Sequence, residues 1–282
     1  MRTPSKASVE SVLGRGNSMS FSTLAGIVIS IALVIGSILH TTSNFGIFWE
    51  LTGFLIVIGL TLATTLMSYE LRYVTLALKL MIKIIYAPRF SRSIMKAEIG
   101  RIIKWAYIVQ KGGLPALEAE AKKVGRADGF LRFGVEVVVS GYTGEEVREI
   151  LHNMANTTFF RNSVPANILK AMAANAPTFG MFATVLGLIM MLDSMGGDPS
   201  ALGPSMAVAM AGTLYGVGVA RIFLLPAATK IQQREEIIRF RNNLVAEGLA
   251  LLADRKSPRY IQDKMNSYLD PSIHFNIDKM KT

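Results

Sequence analysis

Four stretches of this 282-residue chain are each long and apolar enough to cross a lipid bilayer, and nothing else in the sequence constrains the fold as strongly. A hydrocarbon core needs about 20 apolar residues in helical form, within a range of about 17–25. Residues 21–39, 51–67, 173–192 and 203–225 meet this requirement, and only the last contains a charge, Arg221. In lipid each backbone N–H and C=O has to be satisfied within the segment, so all four are expected as helices. The connections differ sharply in charge. Segments 40–50 and 193–202 contain no Lys or Arg but hold Glu50, Asp193 and Asp198, whereas 68–172 and the tail after Pro226 are rich in Lys and Arg. The positive-inside rule then places both termini and the long middle segment in the cytoplasm, with two short connections outside. The net charge of +10 is thereby read as membrane topology, not as a nucleic-acid surface.

Composition also excludes several chemistries. With no cysteine the chain has no disulfide, thiol nucleophile or cysteine metal site. His40, His152 and His274 have no metal-type spacing, and GxSxG, Walker A and HExxH are all missing. No enzyme, cofactor or metal centre is expected. Residues 1–20 carry Arg2, Lys6 and Arg15 ahead of the first apolar run, which is also the pattern of a secretory signal. The run is longer than a usual signal core and no small-x-small site stands out, so 1–20 is expected as a retained cytoplasmic extension.

The expected organisation is therefore all-α. An extension (1–20) precedes transmembrane helices 1 and 2 (21–67). A helical cytoplasmic domain (68–172), transmembrane helices 3 and 4 (173–226) and a helical tail (227–282) follow. "ELRYVTLALKLMIKIIY" reads as an amphipathic helix extending from the second span. "KAEIGRIIKWAYIVQKGG" is expected to end at Gly112 and Gly113, with a short helix after it. "GFLRFGVEVVVSG" contains β-forming valines, but its helical neighbourhood favours helix. Thr143 is a candidate cap for a helix that runs toward the third span, with Pro165 as its weak point.

Spans 3 and 4 differ from the first two. Ala173, Pro177, Gly180, Thr184 and Gly187 follow one another at spacings of four, three, four and three, on one helical face. Ser205, Ala209, Gly212, Gly216 and Ala220 form a similar stripe, with Thr213 beside it. Small residues let membrane helices approach closely, so Gly180, Gly187, Gly212 and Gly216 are read as packing positions. Each of the two spans also carries a threonine and a proline, Thr184 with Pro177 and Thr213 with Pro226. Freed carbonyls and hydroxyls are the oxygens a cation needs when it sheds water. Irregular backbone at membrane depth is tolerated only where it is buried or lines a cavity. No span contains an acidic residue, so a carboxylate for ion transfer has to come from another chain.

The combination "APTFGMFATVLGLIMML…GGDPSALGPSMAVAMAGTLYG…LLPAATK", with "GGLPALEAE", "GFLRFGVEVVVSGYTGEEVREIL" and "SPRYIQDKM", resembles the MotA/PomA family of flagellar stator subunits, within the MotA/TolQ/ExbB proton channel superfamily. The resemblance covers roughly residue 21 to the end. It implies a homopentamer around a MotB/PomB-like partner whose single span carries an ion-binding aspartate. It also implies translocation of Na⁺ or H⁺, contact with the rotor protein FliG, and a place in the bacterial inner membrane. By position, Pro177, Thr184, Thr213, Pro226 and Glu50 match family residues of the ion pathway, and Lys111 and Glu118 match the rotor-contact region. Thr184 stands where sodium-driven members have threonine. Three departures stand against this: Gln110 where the family has a rotor-facing arginine, Gly212 where sodium-driven members have a second threonine, and Arg221 where asparagine is common. The sequence expectation is an ion-conducting stator subunit, sodium favoured over proton. ExbB- or TolQ-like energisers usually have three spans, and a secondary transporter would show an internal repeat, which is not found here.

Overall fold

The computed structural model describes residues 21–41, 48–85, 92–121, 128–195 and 202–280. The expected extension 1–20, and Asp198 with Pro199 of the connection between the third and fourth spans, lie outside the described residues. Among the described residues all regular structure is helical. In chain order the helices are α1 (Phe21–Thr41), α2 (Leu51–Ser68), α3 (Leu71–Lys83), α4 (Arg92–Ala121), α5 (Gly129–Val139), α6 (Gly144–Ser194), α7 (Leu202–Ala253) and α8 (Pro258–Asn266). Four of them, α1, α2, α6 and α7, are long and apolar enough to span a membrane. The chain is an all-α polytopic membrane protein.

Packing divides the chain into a polar unit, Pro88–Asn162 with Arg234–Thr282, and a span unit, Asn17–Ala87 with Ser163–Gln233. These limits group more chain with the spans than composition alone does. The reason is that α3 lays Ala77, with Ile84 just beyond its end, into the same core as Ile168, Leu169, Leu224 and Ala227.

Local structure in the polar unit follows from tertiary burial. The valines of α5 cost at most about 0.7 kcal/mol each in helix propensity, but burying Val135, Val137 and Val138 returns about 1.5–3 kcal/mol apiece. Helix wins. Asp128 caps α5 by accepting the Leu131 N–H at 3.0 Å. Thr143 and Glu146 form a reciprocal cap for α6: the Thr143 N–H donates to the Glu146 carboxylate at 2.8 Å, and the Glu146 N–H to the Thr143 hydroxyl at 3.4 Å. The Thr143 N–H, and the Thr143 hydroxyl donating to the same carboxylate at 2.9 Å, hold the exposed Glu146 carboxyl below its ordinary range. At Gly113 the backbone turns to φ +72°, and α4 kinks there and continues.

Two expectations about helix limits change. The amphipathic helix does not extend from the second span: α2 ends at Ser68, Tyr69 and Glu70 are extended, and α3 starts afresh at Leu71. The helix from Gly144 does run through Pro165 into the third span, as expected, whereas α7 does not end at Pro226 but runs on to Ala253. Pro226 offers no N–H to the Ile222 carbonyl, and in regular α-helix its ring would press on that carbonyl. A wide turn over Val219–Leu224 precedes it, in which the Leu225 N–H reaches back five residues to the Ala220 carbonyl. A similar wide turn covers Leu55–Gly59 of α2. Both lie where buried residues recur strictly every four positions: Gly53, Val57, Thr61 and Thr65 in α2, and Gly212, Gly216, Ala220 and Leu224 in α7. A four-residue step overshoots a full α-helical turn by about 40°. One wide turn absorbs the accumulated error and keeps each stripe on one face.

Candidate ion pathway

The α6 and α7 segments of the span unit run antiparallel with their backbones in contact. Gly216 packs on Ala176, Gly180 on Gly212 and Thr213, and Gly187 on Ser205 and Ala209. A Cβ added at Gly216 would lie 2.6 Å from the Ala176 carbonyl oxygen, and one at Gly187 would lie 2.7 Å from Ala209 N and Ser205 O. At Gly180 it would meet the Gly212 carbonyl at 2.9 Å, and at Gly212 the Ala183 Cβ at 2.4 Å. Gly53 of α2 comes against α7 as well, 3.1 Å from Gly212 N on the same construction. A second threonine at position 212 therefore does not fit unless α6 moves, which accounts physically for Gly212.

Close approach brings the two threonines together. Thr184 Oγ1 lies 2.6 Å from Thr213 Oγ1, 3.1 Å from the Gly180 carbonyl and 3.0 Å from the Ala209 carbonyl. Thr213 Oγ1 is also 3.5 Å from the Gly180 carbonyl. Four oxygens thus converge, with only two hydroxyl hydrogens to share among them. Lone pairs are left over for a cation or a water chain. Thr213 is exposed and Thr184 half-buried, so the cluster opens at the surface of this chain. Among the described residues no group of three or more His, Cys, Asp or Glu side chains is placed to hold a metal ion.

Glu50 is placed by α2 and α7 jointly. Its carboxylate accepts the Gly53 N–H and caps α2, where the helix N-terminus favours negative charge. The Glu50 N–H donates to the Tyr215 hydroxyl at 2.9 Å, and that hydroxyl donates to the Phe48 carbonyl. The Phe54 ring meets Tyr215 edge-on at 6.0 Å. Tyr215 is the residue that sequence reasoning left without a role. Its position within "TLYG" gave no sign of the contact, because its partners lie 165 and 167 residues away.

The remaining expected residues are not gathered at this cluster. Pro177, half-buried, sits two turns before Thr184 on α6 and leaves the Ala173 carbonyl without its helical donor. Pro226 lies 13 residues beyond Thr213, about 20 Å along α7. Arg221 is exposed within the wide turn. Lys111 and Glu118 belong to the polar unit, exposed on either side of the Gly113 kink in α4, and Gln110 is exposed beside them.

These features define a polytopic helical membrane protein with an oxygen-lined seam between its last two spans. Residues 123–243 match the MotA/TolQ/ExbB proton channel family. The chain is 30% identical over 252 residues to the chemotaxis protein PomA of Vibrio alginolyticus, covering 89% of this chain and 96% of that one. It is 28% identical over 260 residues to motility protein A of Treponema pallidum (strain Nichols), covering 92% and 98%. Its fold matches the C. jejuni MotAB structure with a TM-score of 0.77 at 22% identity, over 90% of this chain and 97% of that one. It also matches the flagellar MotAB stator complex from Bacillus subtilis with a TM-score of 0.75 at 24% identity, over 92% and 97%. The chain belongs to the MotA/PomA family of flagellar stator subunits.

Proposed function

We propose that this subunit conducts sodium, in preference to protons, past the Thr184–Thr213 cluster, and that this flow drives torque on the flagellar rotor. The observation that carries the reading is the convergence of the two hydroxyls with the Gly180 and Ala209 carbonyls at an exposed edge. Sodium is a hard cation that takes oxygen ligands. The two hydroxyls and two carbonyls stand in for part of its lost water shell. The carboxylate completing the site belongs to a MotB/PomB-like partner whose span carries an aspartate, seated against Thr213. Five copies of this chain surround two of the partner in the inner membrane, with both termini cytoplasmic. Lys111 and Glu118 meet the rotor protein FliG.

The decisive measurement is single-motor speed against external sodium at fixed proton-motive force. Speed is expected to rise with sodium in the wild type. In Thr184→Ala it is expected to fall and to lose its sodium dependence while the complex still assembles. An unchanged sodium dependence in Thr184→Ala ends the sodium reading. Separately, Glu118→Lys is expected to lower torque without blocking assembly, and wild-type torque would remove Glu118 from the rotor contact.

A further inference from the structure

We propose that α3 is a membrane-surface helix whose Lys79 and Lys83 hold it to the anionic phospholipid headgroups of the bilayer that α2 crosses. Its position follows from the chain. Only Tyr69 and Glu70, both extended, separate the end of the span at Ser68 from the start of α3 at Leu71. Three residue steps reach about 10–11 Å at most, so α3 begins at the boundary of the hydrocarbon. One face of α3 is committed to the protein, since Val74 and Ala77 are buried and Ala77 shares a core with Ile168 and Leu169 of α6 and Leu224 and Ala227 of α7. The opposite face carries Leu71, Arg72, Thr75, Lys79, Ile82 and Lys83, all exposed.

That exposed face combines two chemistries. Leu71 is 65% exposed and Ile82 67%, and Met67, at the last turn of α2, is 86% exposed. Large apolar side chains bare to that degree on either side of the break between two helices are expected in the acyl boundary, not in water. The cations lie on the same stripe. Arg72 is already committed, 2.5 Å from Glu70 and over its neighbour Tyr73. Lys79 and Lys83, one turn apart, have no ion pair among the described residues. Their long stems lie along apolar surface while the ammonium groups reach phosphate. A basic segment beside a membrane span is drawn to anionic lipid, each lysine adding about fivefold to the partition at low salt. This inference rests on the spans alone and is independent of which ion the subunit conducts.

The lack of native cysteine allows a clean probe. The full chain carrying Ile82→Cys with a nitroxide label is reconstituted in phosphatidylcholine vesicles and in phosphatidylglycerol vesicles. Collision with oxygen, which concentrates in acyl chains, is compared with collision with a water-soluble nickel reagent. The label is expected to move toward oxygen and away from nickel in phosphatidylglycerol. K79Q/K83Q is expected to weaken that partition by about 25-fold and cancel the shift. A Leu71→Cys label provides the same readout should the first variant fail to fold. Equal nickel exposure in both lipids, or a shift that persists in K79Q/K83Q, overturns the proposal. So does a label immobilised and shielded from both reagents in both lipids, because a protein then covers this face.

Discussion

The two units bury opposite kinds of polar group. The polar unit buries Glu98, Glu235, Arg241 and Glu247, while the buried polar side chains of the span unit are the hydroxyls Thr61, Thr65, Ser163 and Ser205. In the polar unit the charges answer one another. Arg241 lies 2.5 Å from Glu98, also pairs with Asp128, and reaches Asn242 at 3.1 Å, while Arg101 takes the second oxygen of Glu98 at 3.1 Å. Burial alone opposes the charge on Arg241, but the bonds to Asp128 and Glu98 overcome it and raise its pKa. In the span unit Thr61 and Thr65 donate to the carbonyls four residues back, each at 2.6 Å. Thr61 and Thr65 thus bring polarity that their own helix satisfies, without a counter-charge. Thr184 and Thr213 differ by sharing acceptors across two helices, at the seam where we propose that the ion passes.

The sharpest way to break this comparison is Arg241→Met. It leaves buried Glu98 with only the half-exposed Arg101 and takes the cation from Asp128, and is expected to cost about 3–5 kcal/mol, read as lost thermal stability of the detergent-purified protein. A cost below about 1 kcal/mol would mean that the network is not a buried charge lock. Next is Gly212→Thr in the span unit. Its new Cβ meets Ala183 at 2.4 Å, and overpacking of this kind costs about 1–3 kcal/mol. Combining it with Ala183→Gly is expected to recover stability and motility, and failure to do so would show that close approach is not what position 212 serves. Tyr215→Phe removes the two hydrogen bonds that join α7 to Phe48 and Glu50, worth about 0.5–1.5 kcal/mol each. Thermal unfolding should fall modestly and swimming speed with it.

Glu235 offers the smallest test. Burial pushes its carboxyl above the ordinary 4.5, against the opposing bond from Asn162. Its proton is therefore held more tightly folded than unfolded. Stability is expected to fall as pH rises from about 4.5 to the raised value, and to stay level above it. Glu235→Gln keeps an acceptor for Asn162, so it should flatten that slope and leave the protein more stable at neutral pH. An unaltered slope would assign the titration to another group.

The spans were legible because length and apolarity are read without knowing any partner. Small-residue spacing was legible too, and the structure places Gly180, Gly187, Gly212 and Gly216 at backbone contacts. Continuity through Pro226 was hidden because local rules count the lost bond at a proline but not the turn that accommodates it. The start of α3 was hidden because periodicity continues past Tyr69 and Glu70 while the backbone does not. Tyr215 and the Arg241 network rest on partners more than a hundred residues away, and no local pattern encodes such pairs.

The wide turn at Val219–Leu224 has a genetic meaning. It is equivalent to one amino acid inserted into an otherwise regular α-helix, tolerated because the chain around it needs a four-residue beat. Deleting a single codon there would remove that extra residue, restore the ordinary winding and leave the residues beyond it facing as before, whereas the same deletion in a regular part of α7 would swing everything downstream by about 100°. What the deletion would cost is local, since Pro226 would then press on the carbonyl four residues before it. Loss of one residue is therefore expected to be better tolerated at Val219–Leu224 than elsewhere in the last span.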